Sequence, residues 1–521
     1  MSKLRGRRGF AGALLVITLL AGGCFKVGPN YGRPATKVAE TWLEAGDQRV
    51  KTEPAEYRYW WQAFQDPDLD RLIDIAYREN LSLRIAGVRV LEARAQLGIA
   101  VGLLFPQTQQ AFGSVEKIRV SSRSPQAVFS HNLDYRQSEL GLTASWELDF
   151  WGKYRRAIES AGATLKATVA DYDSALVSLT ADVANSYILI RTLEKRLAIA
   201  RQNVATQEES LKIAQAKFAG GTTTQRDVEQ AKTILANTQA TIPSLEIQLR
   251  QTKNALCVLL GQTPSHLTEL MARAGDIPAP PPQVAVGIPT DLLRRRPDIR
   301  AAELQAASQC AAIGVAKADL FPSFSLLGTF SFQASDVGKF ALDHMFNWGA
   351  RSASVGPSFQ WNIFNYGRIV NNVRVQDARF QELLINYQNT VLKAQQEVED
   401  GLTAFLRSQI RAQYLAESVA AARRSLDLAL LQYREGATDF TTVLTAQQSL
   451  LSEQDSLATT LGDIARNLVA VYRALGGGWQ LREGQDFVPA AVRAEMAKRT
   501  YWGGLLQPVS TAPPGNVPPA E

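Results

Sequence analysis

The stretch Trp146-Glu-Leu-Asp-Phe-Trp151-Gly152-Lys153 occurs a second time further along the chain, as Trp361-Asn-Ile-Phe-Asn-Tyr366-Gly367-Arg368. A shorter motif upstream of it, Leu104-Phe105-Pro106, recurs as Leu320-Phe321-Pro322, and its offset differs from the first by a single position. The offset of the quoted stretch also relates Phe218, Gly221, Thr223 and Val228 to Tyr433, Gly436, Thr438 and Val443. An offset that stays constant over so long a span identifies a tandem duplication.

The first quoted stretch closes a segment in which apolar and polar residues alternate, as in a β-strand with one apolar and one polar face. The apolar positions are Leu140, Leu142, Ala144, Trp146, Leu148 and Phe150, and the polar positions are Gly141, Thr143, Ser145, Glu147 and Asp149. Residues 323–332 and 355–363 alternate similarly, and the duplication predicts a further strand within 107–120. Such strands with aromatic ends are typical of membrane barrels, although a soluble sandwich with one wet face would alternate in the same way.

Helices flank the strands in each copy. Helices are predicted at about 80–104 and 297–320, and the Leu-Phe-Pro motif ends each of them because proline breaks a helix. After the strands, residues 165–218 carry apolar side chains spaced alternately four and three apart, which predicts a long helix with coiled-coil packing. We expect this helix to end at Gly221 and the chain to return in a shorter helix that ends near Gly261.

Four strands per chain have a consequence for assembly. The smallest membrane barrels have eight strands, so four strands close into a barrel only together with copies of the chain. Three copies would supply twelve strands, and the strand count leaves two or four copies open.

The N-terminus has the layout of a secretory signal over residues 1–23, with basic residues, an apolar run and then small residues. The apolar run is too short to span a bilayer, and no other segment reaches 18 consecutive apolar residues. Cys24 follows directly, which resembles the lipobox of bacterial lipoproteins, where the thiol is acylated and becomes the mature N-terminus. The usual leucine three residues before the cysteine is Ala21 here. The alternative is cleavage nearby that leaves Cys24 unmodified.

The overall charge gives little support for a polyanionic partner, and no nucleic-acid partner is expected. The formal net charge is +6. Four of the basic residues, Lys3, Arg5, Arg7 and Arg8, lie in the leader, and without them the net charge is +2. The run 294–296, three arginines, is interpreted as a solvated approach to a helix start.

No catalytic or metal-binding motif is present, so we expect neither an enzyme nor a metal site. The three histidines lack metal-ligand spacing, and no nucleophile elbow, phosphate-binding glycine loop or Cys-x-x-Cys occurs. The four methionines provide no soft-ligand track for copper or silver. Apart from the lipid on Cys24, no cofactor is expected. Cys257 and Cys310 are predicted to be buried and too far apart along their helices for a disulfide.

These features together make the chain similar to the outer-membrane efflux factors, in the TolC-like and nodulation-type lipoprotein branch that serves resistance–nodulation–division pumps. The resemblance extends from about residue 24 to 502 and rests on Cys24, Val27-Gly28-Pro29-Asn30-Tyr31, Trp60-Trp61, Phe64, Asp66-Pro67, Leu69, both Leu-Phe-Pro motifs, residues 292–300, both tip hairpins and residues 475–479. It implies a mainly α fold with a transmembrane β-barrel. Three chains would form a twelve-stranded barrel that continues as a long periplasmic α-helical coiled-coil barrel.

The resemblance also implies a function and its partners. The homotrimer would be a passive conduit that exports drugs or other small toxic compounds from the periplasm to the exterior. It would be anchored by the lipid on Cys24. The membrane would be the outer one, because Phe25 in place of an aspartate after Cys24 matches the outer-membrane sorting rule. A periplasmic adaptor (membrane fusion) protein would dock on the hairpins around Gly221, Thr223, Gly436 and Thr438, and would connect them to an inner-membrane resistance–nodulation–division transporter.

Acidic residues ring the periplasmic tip in such proteins and gate it. Asp227 matches the acidic position of the first hairpin. In the second hairpin the corresponding positions are Thr442 and Thr445, with Asp439 nearby, so the acidic gate is expected to be reduced or relocated. On the polar face of the strands, Glu147 and Asp149 are expected to line the barrel lumen.

Two other functions stay open, a duct for type I protein secretion and a non-conducting coiled-coil scaffold of the envelope. The alternating strands argue against the scaffold. The predicted organisation is a signal peptide (1–23), an acylated and equatorial segment (24–79), a first repeat (80–261), an equatorial linker (262–296), a second repeat (297–476) and a C-terminal equatorial segment with a disordered tail from Gly503 (477–521).

Overall fold

Long helices and long strands alternate along the chain in a computed structural model that describes residues 25–53, 57–128, 132–267, 269–271, 275–337 and 344–507. The helices are α1 (Pro67–Glu79), α2 (Leu81–Gly102), α3 (Lys153–Ala219), α4 (Gln225–Leu259), α5 (Leu292–Arg295), α6 (Pro297–Ala318), α7 (Arg368–Arg434), α8 (Phe440–Ala474) and α9 (Ala490–Arg499). The strands are β1 (Val50–Lys51), β2 (Thr108–Arg119), β3 (Asp134–Leu148), β4 (Val284–Ala285), β5 (Ser323–Ser335) and β6 (Arg351–Gln360). The predicted signal peptide and Cys24 lie outside the described residues.

The two copies have helices of identical length. Helices α2 and α6 have 22 residues each, α3 and α7 have 67 each, and α4 and α8 have 35 each. The predicted helices and all four predicted strands are present, including the weakly patterned strand now seen as β2. Within the described ranges, no helix is both long and apolar enough to cross a membrane.

The chain divides into two compact units, of which the first contains the described parts of Met1–Pro34, Glu92–Ala167 and Ala302–Asn386. Its centre is a four-stranded sheet in the order β2-β3-β5-β6. All three pairings are antiparallel, and they align Leu142 with Ala111 on one side and with Phe330 on the other. Residues paired directly across a sheet lie on the same face. The register therefore places the apolar positions of all four strands on one face and the polar positions on the other.

The two repeated motifs contact each other in each copy. The indole Nε1 of Trp146 donates a hydrogen bond to the carbonyl oxygen of Leu104 at 3.1 Å. In the second copy the indole Nε1 of Trp361 donates to the carbonyl oxygen of Leu320, also at 3.1 Å. The carbonyl accepts this bond at the end of a helix, where no further turn follows to satisfy it. The recurrence of both motifs in the sequence therefore has a common structural cause.

A buried arginine holds the first residues of the described chain. Arg156 is 1% exposed and donates to the carbonyl oxygens of Val27 (3.1 Å) and Gly28 (3.2 Å) and to Asn30 Oδ1 (2.8 Å). Gly28 has φ +93°, and a Cβ at this position would lie 2.5 Å from the Cα of Gly314. Only glycine fits such a conformation and such a contact. The segment after Cys24 is thus fixed to the first unit.

The second unit, Ala35–Leu91, Thr168–Ala301 and Tyr387–Glu521, contains elements that the periodicity does not predict. Helix α1 begins after Asp66, whose carboxylate accepts from the amides of Asp68 at 3.0 Å and Leu69 at 3.3 Å. Pro67 occupies the first turn of this helix. An acidic N-cap followed by proline is a helix-start signal that the family motif Asp66-Pro67 already contained. The other additions include the parallel pair β1–β4, the short helix α5 and helix α9.

Arg295 and Arg296 of the arginine run before α6 are largely buried, so the expectation of a solvated run is wrong for these two residues. Arg296 is 8% exposed. Its guanidinium donates to Asp298 (3.0 and 2.7 Å), to Glu397 (2.7 Å) and to the carbonyl oxygen of Ala474 (2.8 Å). The Arg295 guanidinium lies 4.0 Å from the ring centroid of Tyr57. A planar group with five donors is stable in the interior when its donors are satisfied, and charge alone does not reveal this.

A second buried ion pair lies in the same unit. Asp173 is fully buried, and its two carboxylate oxygens accept from Nε and Nη2 of Arg482. A second guanidinium, that of Arg300, lies 3.9 Å away. Burial raises the pKa of Asp173, and Arg482 and Arg300 act in the opposite direction.

The coiled-coil seam of α3 follows the predicted spacing in its middle and departs from it near its end. Leu176, Val183 and Ile190 are fully buried as predicted, but Phe218 is 43% exposed. Polar side chains take over the seam there: Asn203 donates to Gln454 Oε1 at 2.8 Å, and Ser210 accepts from Gln447 at 2.7 Å. The spacing of apolar residues does not reveal such buried polar positions, because the hydrogen-bond partners that make their burial possible lie on another helix.

Two smaller predictions concern the cysteines and the tail. Cys257 and Cys310 are both free and buried, which confirms their burial. The tail does not begin at Gly503, because Gly503–Leu506 forms a 3-10 turn and the Leu506 carbonyl oxygen accepts from Arg493 at 3.3 Å. Residues 508–521 lie outside the described ranges.

Candidate functional site

One face of the four-stranded sheet is apolar and exposed. Leu142 is 60% exposed, Val355 is 81% and Phe359 is 73%. The strand register places these side chains on one face, here called the apolar face, with Val115, Leu140, Ala144, Leu148, Phe324, Leu326, Phe330 and Phe332. A contiguous exposed apolar surface of this kind marks a contact with lipid or protein.

The opposite face of the sheet, the polar face, carries hydroxyls, amides and carboxylates. Its strand positions include Gln110, Ser114, Thr143, Ser145, Ser325, Thr329, Ser331, Ser354 and Ser358. Three carboxylates, those of Glu116, Glu139 and Glu147, lie on this face, and in the described strands no Lys or Arg does. Glu116 and Glu139 were not among the predicted site residues, because their positions depend on a register that only the paired strands define.

The two predicted lumen carboxylates have different surroundings. Glu147 Oε2 accepts from the Tyr154 hydroxyl at 3.0 Å. Burial and this carboxylate raise the pKa of Tyr154, so the phenol stays protonated and donates. The Asp149 side chain is 7% exposed, and it accepts from the amides of Tyr154 and Arg155 and from Arg155 Nε at 2.8 Å. Asp149 therefore satisfies the first turn of α3, where amides lack intrahelical partners.

The hairpin tips, 219–225 and 434–440, end their first helices in the same way. Gly221 has φ +69° and Gly436 has φ +77°. In the first tip, the amides of Gly221 and Thr222 donate back to the carbonyl oxygens of Phe218 and Lys217, both at 2.9 Å. In the second tip, Gly436 and Ala437 make the corresponding bonds at 3.2 and 2.8 Å. This is the Schellman motif, and it requires a left-handed residue that glycine supplies without strain.

The next helices begin with a hydrogen-bonded acid–hydroxyl pair, and the two tips place its members in opposite order. In the first tip Thr224 is the N-cap and donates to Asp227 Oδ1, three residues on, at 3.3 Å. In the second tip Asp439 is the N-cap, and its Oδ1 accepts from the amide of Thr442 at 3.2 Å and from its hydroxyl at 3.0 Å. The carboxylate of the second tip is thus present, but three residues earlier than in the first.

The reversed order of acid and hydroxyl in the two tips gives the two carboxylates different exposure. Asp227 is 6% exposed, and it also accepts from the hydroxyl of Thr223. Asp439 is exposed. Thr438, the counterpart of Thr223, shares a hydrogen bond with Thr442 at 3.0 Å, and the exposed Thr445 donates to the carbonyl oxygen of Thr441 at 3.0 Å. Of the predicted tip acids, only Asp439 presents a solvated charge in the single chain.

The two tips also contact each other. Lys217 Nζ donates to the carbonyl oxygen of Tyr433 at 2.6 Å and lies 4.8 Å from the centroid of its ring. Around this contact, α3, α4, α7 and α8 share an apolar cluster of Ala214, Val228, Ala231, Ile234, Leu426, Ala429, Tyr433, Phe440, Val443, Leu444, Ala446 and Leu450. The four helix ends therefore pack together and present one shared surface.

Replacing Gly221 by alanine tests the Schellman end. A left-handed alanine is strained by about 1 kcal/mol, so amide hydrogen exchange in residues 216–224 is expected to accelerate roughly fivefold. Gly220→Ala is the matched control, because Gly220 has no positive φ and its added Cβ would meet only ordinary contacts at 3.5 Å and beyond. Equal exchange in both variants would contradict the role given to Gly221.

Metal ligation has no geometric counterpart in the described ranges. No group of three or more His, Cys, Asp or Glu side chains is placed there to hold a metal ion. The features with a defined arrangement are the two sheet faces and the two tips.

Comparison with known proteins gives consistent matches. A family model described as "Outer membrane efflux protein" matches residues 72–262 and 288–477, which are the two copies of the duplication. Nodulation protein T of Rhizobium leguminosarum bv. trifolii is 31% identical over 462 residues, 89% of this chain and 96% of the relative. The pyoverdine export outer membrane protein OpmQ of Pseudomonas putida is 33% identical over 423 residues, 81% of this chain and 88% of the relative. The solved outer-membrane channel OprN is similar with a TM-score of 0.81 and 33% identity, covering 87% of this chain and 99% of that one.

Proposed function

The chain belongs to the outer membrane efflux protein family, and from this premise we propose that three copies close a twelve-stranded barrel and conduct drugs or other small toxic compounds from the periplasm to the exterior. As a member of the family it is a channel component of an efflux system, located in the outer membrane and extending into the periplasm. The stoichiometry, the cargo and the partners of this system are the parts that we propose.

The observation that carries the proposal is the sheet. Strands β2 and β6 are its two ends, so each has one edge that pairs with no other described strand. An unpaired edge is not viable in lipid, because backbone groups find no water there. Copies of the chain remove the edges when β2 of one copy pairs with β6 of the next, and three copies give twelve strands. The apolar face then meets lipid and the polar face encloses water.

The geometry of the tips supports the proposed partners. Their shared surface, with exposed Asp439 and the left-handed turns at Gly221 and Gly436, suits docking of a periplasmic adaptor protein. Through the adaptor, we propose, the chain is coupled to an inner-membrane transporter of the resistance–nodulation–division class. The tips would form the periplasmic end of the conduit.

Lipidation of Cys24 is part of the same proposal. Phe25 packs edge-on against Trp151, with ring centroids 6.2 Å apart, and its carbonyl oxygen accepts from Arg155 at 3.3 Å. Trp151 lies just beyond the end of β3. An acyl chain on the preceding residue would therefore start beside the apolar face. The hydrogen bonds from Arg156 to residues 27–30 would help to hold it there.

Single-channel recording in planar bilayers tests the conduit. The purified, acylated trimer is expected to give discrete current steps, and Asp439→Asn is expected to lower the potassium conductance by roughly twofold, since exposed carboxylates at a narrow opening concentrate cations. Asparagine also serves as an N-cap, so this change removes the charge and keeps the helix start.

Asp227→Asn is the comparison, with a smaller expected effect because its carboxylate bonds within its own tip. Folded, inserted trimers that pass no current as wild type or as either variant would contradict a conduit and favour the scaffold.

A further inference from the structure

The apolar face of the sheet ends in a band of cations at the end remote from the helices. The register pairs Lys117 of β2 directly with Arg136 of β3, and two residues further on Arg119 pairs with Asp134. All four side chains lie on the apolar face, since Val115 and Leu140 precede them at alternate positions. Arg351, at the start of β6, pairs with Phe332 and lies on the same face.

The charges of this band are not balanced within the chain. Four cations, Lys117, Arg119, Arg136 and Arg351, share the face with two carboxylates, so the band carries +2. Asp134 lies 3.9 Å from Arg119, and the carboxylate of Asp336 accepts from the backbone amide of Arg136 at 2.7 Å. In the part of the chain that the structure describes, neither the Lys117 nor the Arg136 side chain forms an ion pair.

Two cations directly opposite each other on neighbouring strands repel, and such a pair is destabilising by itself. An anion placed between them would reverse the sign of the interaction. The polar face does not attract this anion, because it carries Glu116 and Glu139 at the same level of the sheet. The missing anion therefore belongs outside the barrel.

The band lies at the level of lipid headgroups. From Leu148 at the helix end of β3 to Arg136 are twelve residues, or about 40 Å along the strand and about 30 Å along the membrane normal at the tilt usual for barrels. The apolar belt of such barrels is about 25 Å tall, so Lys117 and Arg136 lie just beyond its outer boundary. Val115, on the helix side of these cations, is 77% exposed. Trp348, which precedes β6 at the outer end of the sheet, is 70% exposed, and its ring centroid lies 4.1 Å from the Arg351 guanidinium.

We propose that Lys117 and Arg136, supported by Arg119 and Arg351, bind the phosphate groups of a phosphorylated glycolipid of the outer leaflet, lipopolysaccharide in this membrane. Its acyl chains would cover Val115 and the apolar face below, and its phosphates would bridge the paired cations. This inference rests on the proposed barrel, because only that arrangement turns the apolar face towards lipid. It adds a specific lipid contact to the outer rim.

The test measures lipid retention by trimers in nanodiscs. Wild type is expected to retain bis-phosphorylated lipid A about tenfold better than Lys117→Gln/Arg136→Gln, since each charge-assisted contact with phosphate contributes strongly. Wild type should lose the same factor with dephosphorylated lipid A. The charge-keeping variant Lys117→Arg/Arg136→Lys should retain lipid A. The matched control is Lys212→Gln/Arg423→Gln, which removes one lysine and one arginine charge from the parts of α3 and α7 that belong to the second unit, and should behave as wild type.

Several results would overturn the proposal. Undiminished retention by the glutamine variant or of dephosphorylated lipid A would remove the role of the cations. Equal retention of phosphatidylglycerol would reduce the band to a general anionic-lipid contact, and competition by millimolar inorganic phosphate would indicate a free-phosphate site. Trimer formation and conductance are measured on the same samples. Conducting trimers with unchanged lipid retention would refute only this inference, whereas loss of trimers or current in wild type would refute the proposed function.

Discussion

Arg482→Met is expected to destabilise the protein by about 3–5 kcal/mol, because it leaves the buried carboxylate of Asp173 without its main partner. Asp173 has no exposed surface, and the remaining cation, Arg300, is 3.9 Å away with a third of its side chain exposed. The thermal unfolding midpoint of the detergent-solubilised protein and the yield of folded protein measure the effect.

The double variant Asp173→Leu/Arg482→Met separates charge from packing. Replacing both members of a buried pair is often close to neutral, so the double variant should regain most of the stability that Arg482→Met loses. Arg466→Met is the surface control: its pair with Asp463 is exposed at 3.9 Å, and less than about 1 kcal/mol is expected. A double variant as unstable as the single one would show that Arg482 acts through packing.

Removing the three carboxylates of the polar face should change ion selectivity. In the proposed trimer Glu116, Glu139 and Glu147 place nine negative charges around the lumen, and no cation of the described strands faces them. The triple variant to glutamine is expected to lower the cation-to-anion permeability ratio roughly threefold. Reversal potentials in a potassium chloride gradient across a planar bilayer give this ratio.

Asp134→Asn provides the matched control for selectivity. It removes a carboxylate from β3 as well, but on the apolar face, where it pairs with Arg119. Selectivity should stay at the wild-type value. An equal change in the control and in the triple variant would mean that the two sheet faces are not separated by a barrel wall.

The duplication made most of the fold predictable. Because the offset is constant, a strand with clear alternation in one copy predicts a strand at the equivalent positions of the other. The prediction of β2, whose own alternation is weak, rests on this equivalence. The register was out of reach, because it is set by contacts between paired strands and not by the pattern within one of them, and so Glu116 and Glu139 were overlooked. Helix α1 had a readable start at Asp66-Pro67, but its 13 residues lack the long periodicity that identified α3 and α7.

The candidate site was predictable in position and not in geometry. The glycine turns at 221 and 436 follow from residue type, since left-handed helix ends favour glycine. The burial of Asp227 and the exposure of Asp439 depend on which member of the acid–hydroxyl pair caps its helix. The prediction that Arg296 is solvated was wrong for a related reason. Its hydrogen-bond acceptors Glu397 and Ala474 are distant in the sequence, so the pattern around Arg296 does not reveal them.

The equal helix lengths of the two copies constrain how this chain tolerates change. Side chains at equivalent positions have diverged, as Asp227 and Thr442 show, yet 67 and 35 residues occur in both hairpins. One inserted residue would move a tip by about 1.5 Å and rotate everything beyond it by about 100°. The tips then could not share their apolar cluster. Substitutions are therefore absorbed locally, whereas an insertion in one hairpin would be accepted only with a compensating insertion in the other.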